Sequence, residues 1–543
     1  MVTDGWRMNL QPLDYPPTVP NLVRHAASAF PTREYIVTAD RRLTFADAEE
    51  QSRRLAKRLL RGGVAKGGAV GVLFPQGPDF VVALLAATRI GAVAVPLSTF
   101  LRGPELGRAI RHVDVDTLLA PATLLGRDTA TMLEDLFADL RGATDAQLFL
   151  PDAPFLRHVW LTGAVSPRPW VTACPSFVDL PDERAFSDEV FEAVESEVAP
   201  SDRMVIVQTS GATAGPKAVV HTHAAQVRQA WKLAQLYGLT ADVRIFSTMP
   251  FFWVGGLTVL VLAHLHAGAA IITVERTDSR AMFDLIERAR PTRLLGWTVF
   301  ERLRADPTFA DRDLSWVHAL EVPPEANGRR HSSLGMTETS GPHTVFPTLE
   351  NLVDLPEAQW GSFGPPIAGM EHLIVDPETG VPVADGVEGE IYVRGEHLME
   401  GLHKQERSRT FDPDGWYHTG DSGYFRDGLL FFTGRLTEMI KTGGANVAPR
   451  EVEVAVESLP GVRAAFVVGI PDPARGEVVG CLVCPEEGHE IDPASMGAAL
   501  AAVLSSFKIP RRILVMPYDE APWLGSGKIS KPRVVEMFLE RNA

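Results

Sequence analysis

Gln208-Thr-Ser-Gly-Ala-Thr-Ala-Gly-Pro-Lys-Ala218 crowds hydroxyls, glycines and one lysine into eleven residues. An apolar, strand-like run, Met204-Val-Ile-Val207, precedes it. Val219-Val-His221-Thr-His223 follows, then a segment with helical potential from about Ala224. A glycine-bearing loop lets backbone N–H groups approach an anion closely, and hydroxyls and an ammonium add donors. That is the chemistry of holding phosphates. The stretch is not a Walker loop: Gly211-x-x-x-Gly215-Pro216-Lys217 has the wrong spacing, and Ala218 stands where Ser or Thr would reach magnesium. Read alone, such a stretch is more often a surface turn than a phosphate site.

Working outward, 543 residues are enough for two or more domains. Hydrophobic content of 45% and charged content of 22% are ordinary for a globular protein with a large core. The balance of 52 basic against 68 acidic residues, net −16, argues against nucleic acid as a partner, because phosphate contacts need a basic surface. Three cysteines in so long a chain fit a reducing compartment, hence a cytoplasmic location. Cys481 and Cys484 lie in a strand-like run, where positions i and i+3 face opposite sides, so a shared metal or redox pair is not expected. The N-terminus lacks the shape of a signal peptide. The longest apolar stretch, Val254 to Val274, is interrupted by glycines and histidines. It reads as a buried helix, a turn at Ala267-Gly268 and a strand rather than as a transmembrane segment. Peripheral membrane contact and a homodimer stay open.

Before the opening stretch, helical and strand patterns alternate. Thr44-Phe-Ala-Asp47 opens a helix to about Arg61; Ala69 to Phe74 is a strand, Asp79 to about Arg89 a helix, and Ala92 to Leu97 a strand. That order implies a parallel sheet with right-handed crossovers. From about Leu140 to Pro200 the pattern weakens into proline-rich connections. His221 and His223 read as a pair on one face of a strand, a feature more often structural than catalytic. Phe251, Phe252 and Trp253, set against Gly255 and Gly256, either wall an apolar pocket or pack in the core.

Ser333-Leu-Gly-Met-Thr-Glu-Thr339 places a hydroxyl and a carboxylate side by side after a glycine. Thr337 suits a phosphate oxygen, and Glu338 suits a hard cation such as magnesium. From about Gly361 the chain turns β-rich, and in Tyr417-His-Thr-Gly-Asp421 the aspartate suits the two hydroxyls of a ribose. Gly434-Arg435 ends a further strand, and Lys441-Thr-Gly-Gly-Ala-Asn446 is a flexible turn. From about Leu436 the tail reads as a separate domain with a helix over 449–457 and a buried strand over 464–470. Near its end, Leu524-Gly-Ser-Gly-Lys528 sets a lysine on a Gly/Ser loop.

Each motif is weak alone, but their order is not. From about residue 20 to the end, the chain resembles the adenylate-forming superfamily: acyl- and aryl-CoA synthetases, luciferases and peptide-synthetase adenylation domains. Thr209 to Ala218, Leu334 to Glu338, Tyr417 to Asp421, Gly434 to Lys441 and Ser526 to Lys528 match that family's motifs in order. The resemblance is greatest to bacterial fatty, medium- or long-chain acyl-CoA synthetases.

The resemblance implies a mixed α/β fold. A large N-terminal domain over 1–434 would comprise two α/β subdomains (about 20–200 and 201–360) and a small β-barrel (361–434). A small, mobile α+β C-terminal domain over 435–543 would carry the catalytic lysine. It implies two steps. A carboxylic acid attacks the α-phosphate of Mg-ATP, giving acyl-adenylate and pyrophosphate; coenzyme A then displaces AMP. Lys528, Thr337 and Glu338 would be catalytic, with Glu338 holding Mg2+. Thr209, Ser210, Gly211, Thr213, Lys217, Gly335, Met336, Thr337, Asp421, Arg435 and Lys528 would bind ATP or AMP. Phe251, Phe252, Trp253, Gly255, Gly256 and Trp297 would line the acyl pocket. Lys441, Gly443 and Gly444 would line the CoA tunnel once the small domain swings about Thr437. Delivery to a carrier protein or amine, or a catalytically impaired nucleotide- or acyl-binding homologue, remain alternatives. The sequence also departs from the family pattern. Ala212, Ala214 and Ala218 replace Thr, Gly and Gly; Leu334 replaces an aromatic; and the segment between Leu320 and Leu334 is short.

Overall fold

The computed structural model describes residues 10–541 except 102, 165, 175, 178–179, 182–185, 210–216, 276–277, 296–298, 305, 315, 317, 320–332, 348–354, 443–444, 448, 473–474, 502–503, 505–507 and 525–527. Ser210, Gly211, Thr213, Trp297, Gly443, Gly444 and the short 321–332 segment therefore lie outside the described residues.

The expected strand–helix–strand order near the N-terminus is present. Thr44 caps the helix Phe45–Arg61 reciprocally: its hydroxyl accepts from the Asp47 N–H at 3.0 Å, and the Asp47 carboxylate accepts from the Thr44 N–H at 3.0 Å. The helix Pro78–Arg89 is buried along its whole length, which its run Phe-Val-Val-Ala-Leu-Leu-Ala-Ala demands.

Among the described residues, eight strands form one sheet in the order Gly401–Leu402, Lys217–Thr222, Arg203–Thr209, Val93–Pro96, Ala69–Val72, Thr117–Pro121, His158–Thr162, Val171–Cys174. Its pairings are parallel from Arg203–Thr209 to Val171–Cys174 and antiparallel on the Lys217 side. A second sheet runs His318–Ala319, Arg293–Leu295, Arg244–Ser247, Ala270–Ile272, Glu34–Val37, Arg42–Thr44. The helices Val19–Ala29, Phe45–Arg61 and Pro78–Arg89 share one apolar core with strands of both sheets.

Two expectations are corrected here. The division at about residue 200 does not follow the sheets. Glu34–Val37 and Arg42–Thr44 join the later strands, while Arg203–Thr209 and Lys217–Thr222 join the earlier ones. The weak stretch before Pro200 holds two strands, His158–Thr162 and Val171–Cys174. They are four or five residues long and lie at the sheet edge, too short to show a period against the prolines around them.

The segment expected to be a small barrel is a four-stranded antiparallel sheet, Met370–Val375, Gly389–Gly395, Tyr417–Arg426, Leu429–Arg435. Beyond it, Val462–Asp472 and Gly476–Pro485 form a long hairpin, flanked by Ile440–Thr442 on one side and Arg512–Val515 on the other. Cys481 and Cys484 are buried and free, and burial raises both thiols, Cys484 to about 11. The apolar stretch near residue 260 is a π-helix, Gly255–Leu262, continuing as Ala263–Ala267 and stopped by Gly268 at φ 67°. Among the described residues no helix is long and apolar enough to cross a membrane.

A buried ion network ties this domain together. Arg89 lies 2.5 Å from Glu195 and 2.8 Å from Glu49, and it also donates to the Ser52 hydroxyl. Among the described residues, Arg89→Leu leaves Glu195 with Arg24 alone as an ion-pair partner, at 3.7 Å. Breaking such a pair from one side costs about 3–5 kcal/mol. Calorimetric melting is expected to show a drop of several degrees, whereas the exposed pair at Arg533 is expected to matter little when Arg533→Ala removes it. Equal effects would contradict the assignment.

Candidate active site

The loop that opened the sequence reading joins two antiparallel strands, with Thr209 paired to Lys217 at its base. Alternation along Lys217–Thr222 puts Lys217, Val219 and His221 on one face. That face meets the hairpin Ser333–Met336/Gly341–Val345 and its connecting turn, Thr337–Thr339. The hairpin closes tightly. A side chain at Gly335 would sit 2.6 Å from the backbone of Gly341 and Pro342, so the position requires glycine.

Glu338 is buried, yet three neighbours meet it. The Tyr417 hydroxyl donates to its Oε1 at 3.1 Å, Lys217 Nζ lies 3.6 Å from the same oxygen, and the Met399 N–H holds its backbone carbonyl at 2.8 Å. Burial, then the Glu338 charge, pushes the Tyr417 hydroxyl far above its usual range, so it stays a donor. Thr337 is half-buried beside it, with Met336 half-buried and Gly335 exposed.

Asp421 comes from the neighbouring antiparallel sheet, on Tyr417–Arg426, and is 4% exposed. Arg435 Nε is 3.0 Å from its Oδ1, but that oxygen has no hydrogen bond of good geometry. Burial raises its carboxyl to about 6. Arg435 opposes the rise, while Glu338, Glu438 and Glu390 add to it. Two buried carboxylates, one with an unfilled acceptor, stand beside two exposed cations, Lys217 and Arg435. Such an arrangement suits hydroxyl donors at Asp421 and a hard cation at Glu338. Among the described residues no group of three or more His, Cys, Asp or Glu side chains could enclose a metal. Magnesium commonly takes only one or two carboxylates and completes its shell with phosphates and water, so the donor set fits it.

The aromatic run divides by role. Phe251 is fully buried, edge-on to Phe80 at 5.7 Å, and belongs to the core. Phe252 and Trp253 lie edge-to-face at 5.8 Å, and Phe100, half-exposed, meets both at 5.3 and 6.0 Å. Gly256 allows the close turn there, since a side chain would fall on the Pro250 carbonyl; at Gly255 it would press on Met249.

Among the described residues, Lys528 and Lys441 make no hydrogen bond or ion pair with Glu338 or Asp421. Lys528 is exposed beside a short bridge between Trp523 and Ile529. Lys441 is exposed on Ile440–Thr442, where its N–H donates to Glu477 at 2.8 Å. Thr437 sits in the turn Leu436–Glu438, directly after Arg435. Sequence reasoning missed Tyr417 as the partner of Glu338, Phe100 beside Trp253, and His221. The alternation of Lys217, Val219 and His221 was the available signal for the last. His223, expected on the same strand face, instead begins the helix His223–Leu236.

Family models agree with this geometry. Residues 23–403 match the AMP-binding enzyme family and residues 451–528 match the AMP-binding enzyme C-terminal domain. The chain belongs to the AMP-binding enzyme family, and it is an enzyme of the acid-activating, AMP-forming ligase class. Among its relatives, a putative acyl-CoA synthetase, YngI, from Bacillus subtilis is 28% identical over 96% of this chain and 97% of its own. Indoleacetate–CoA ligase from Aromatoleum aromaticum is 30% identical over 95% and 97%. A 3-[(3aS,4S,7aS)-7a-methyl-1,5-dioxo-octahydro-1H-inden-4-yl]propanoyl:CoA ligase from Rhodococcus jostii is 30% identical over 95% and 98%. In fold, the chain resembles ATP-bound MatB from Rhodopseudomonas palustris, with a TM-score of 0.74 at 23% identity over 96% and 99% of the two chains. It also resembles the amide bond synthetase McbA from Marinactinospora thermotolerans, with a TM-score of 0.76 at 24% identity over 96% and 100%.

The Asp421 shift gives a pH signature. A carboxyl raised from 3.8 to about 6 stabilises the folded state when protonated. That contribution is complete below about pH 4 and is lost as pH rises through about 6. Asp421→Asn stays neutral throughout. The nucleotide-free variant is therefore expected to be more stable than wild type at pH 8, by on the order of 2 kcal/mol, with the gap closing toward pH 4. Melting temperatures across that range read this out, and a gap independent of pH would contradict it.

Proposed function

We propose that the protein activates an apolar, ring-bearing carboxylic acid with ATP and passes the acyl group to coenzyme A. Asp421 carries this reading: a buried carboxylate with an unfilled acceptor oxygen, beside Arg435, suits the paired hydroxyls of a ribose. The loop residues Thr209, Ser210, Gly211, Thr213 and Lys217 cradle the β- and γ-phosphates and the departing pyrophosphate. Gly335 and Met336 bring the backbone close to the nucleotide. Thr337 donates to the α-phosphate, and Glu338 would hold Mg2+, which supplies positive charge to the phosphates.

Two anions must meet in the first step. Lys528, on the 435–543 domain, offsets their repulsion at the α-phosphate. That domain then turns about Thr437, withdrawing Lys528 and bringing Lys441, Gly443 and Gly444 to the path of the thiol. The exposure of Lys528 and Lys441, both outside the carboxylate cluster, supports a domain that approaches rather than one already docked. Three free, buried cysteines support a cytoplasmic location.

Ring-bearing acids are favoured by the edge-to-face trio Phe100, Phe252 and Trp253, and by relatives named for indoleacetate, feruloyl and coumarate substrates. Apolar pockets discriminate by only about 1–3 kcal/mol per methylene, so a class is argued and not one acid.

Pyrophosphate release, scored over ring-bearing, fatty and short aliphatic acids, is expected to give kcat/KM at least about tenfold higher for ring-bearing acids. Preference for a short dicarboxylic or aliphatic acid would overturn the substrate class. Lys528→Ala is expected to slow adenylate formation by about 100-fold or more while thioester formation from preformed acyl-adenylate persists. Equal loss in both half-reactions would contradict the division of labour.

A further inference from the structure

His221 is fully buried one residue from the end of the strand Lys217–Thr222. Its Nε2 lies 2.8 Å from the Thr337 carbonyl oxygen, and its Nδ1 lies 3.1 Å from Ser340 Oγ. A carbonyl only accepts, so Nε2 carries the proton and Nδ1 is an acceptor, sharing the single Ser340 hydroxyl proton with a second acceptor. Ser340 Oγ also reaches the His397 carbonyl at 2.9 Å. One imidazole therefore joins the phosphate-loop strand, both ends of the turn Thr337–Thr339 and the segment after Gly395.

The turn needs such a tie. Ser340 has φ 58°, in the left-handed region that non-glycine residues seldom occupy. Strained backbone of this kind persists only where its surroundings over-determine it. The same strand face fixes the turn twice, four residues apart. Lys217 faces the Glu338 carboxylate at 3.6 Å, and His221 holds the carbonyl of the preceding residue. Between them Val219 packs in a cluster with Tyr417 and Met399, which hold the other side of Glu338.

We infer that His221 is a positioning residue for acid activation: its Nε2–H anchors the Thr337 carbonyl and so sets where the Thr337 hydroxyl and the Glu338 carboxylate meet the nucleotide. It touches no reacting atom. This rests on the proposed roles of Thr337 and Glu338. Without the imidazole, the Thr337 carbonyl is left with the longer bond from the Ser340 N–H at 3.2 Å, and the turn relaxes. A shift of about 1 Å in such a group costs roughly 100-fold in rate.

The test compares His221→Leu, which removes both hydrogen bonds, with His221→Gln, whose amide N–H reaches the position of Nε2. Readouts are acid-dependent pyrophosphate release, thioester formation from preformed acyl-adenylate, and melting temperature. His221→Leu is expected to lower kcat for pyrophosphate release by about 10–100-fold, with KM for ATP within about threefold and the second half-reaction unchanged. His221→Gln is expected to recover most of the loss. Wild-type kcat in His221→Leu would overturn the inference. So would equal loss in both half-reactions, or no recovery with glutamine, since either marks general damage to the fold. Glu338→Ala separates the two levels. If it keeps full activity, the parent reading fails; if it is inactive while His221→Leu is normal, only this inference fails.

Discussion

Two buried carboxylates, each facing one exposed cation among the described residues, govern this structure. Glu338 and Asp421 stand within each other's field, and Glu390 and Glu438 add to it. Burial disfavours the ionised Asp421 carboxylate, and like charges disfavour it further. The partners available are a phenol, a half-exposed lysine and a half-exposed arginine. Such a cluster is at ease only when donors and cations arrive from outside. A nucleotide brings both, as ribose hydroxyls and as the metal its phosphates carry. On the proposed reading, the site stores an electrostatic demand that its substrate satisfies.

The fold places the two acids by bringing separate layers to one edge. Glu338 rides on a hairpin turn pressed against the outer strands of the eight-stranded sheet. Asp421 rides on a strand of the antiparallel sheet, and Gly401–Leu402 stitches that sheet's connection to Lys217–Thr222. Tyr417 and Asp421 belong to the same strand, so one element both donates to Glu338 and supplies the second carboxylate. The chain returns to the early sheet after a long excursion. The large domain is therefore interleaved and not a string of consecutive units.

Much of this was legible in the sequence. The strands on either side of the Gln208–Ala218 stretch, Arg203–Thr209 and Lys217–Thr222, stand where the apolar runs around it pointed. The order of five motifs carried the family, and the family matches over 23–403 and 451–528 agree with it. Helix starts such as Thr44…Asp47 follow from local capping and were readable for that reason. The interleaved sheets were not, because pairing between residues 34–44 and 244–319 is a tertiary choice that leaves no local trace. The strands His158–Thr162 and Val171–Cys174 are too short to show periodicity. His221 was visible as a residue but not as an anchor: its partner is a backbone carbonyl more than a hundred positions away, and no side-chain pattern encodes that.

The central claim is that Asp421 is held buried and under-satisfied in order to receive the sugar of a nucleotide. Calorimetric titration of Mg-ATP into the wild-type chain and into Asp421→Asn, at pH 7.5 and without acid, tests it most directly. The account predicts single-site binding to wild type and affinity at least about tenfold weaker for the variant, the loss expected when charge-assisted hydrogen bonds are removed. Equal affinities, or no binding to wild type, would contradict it.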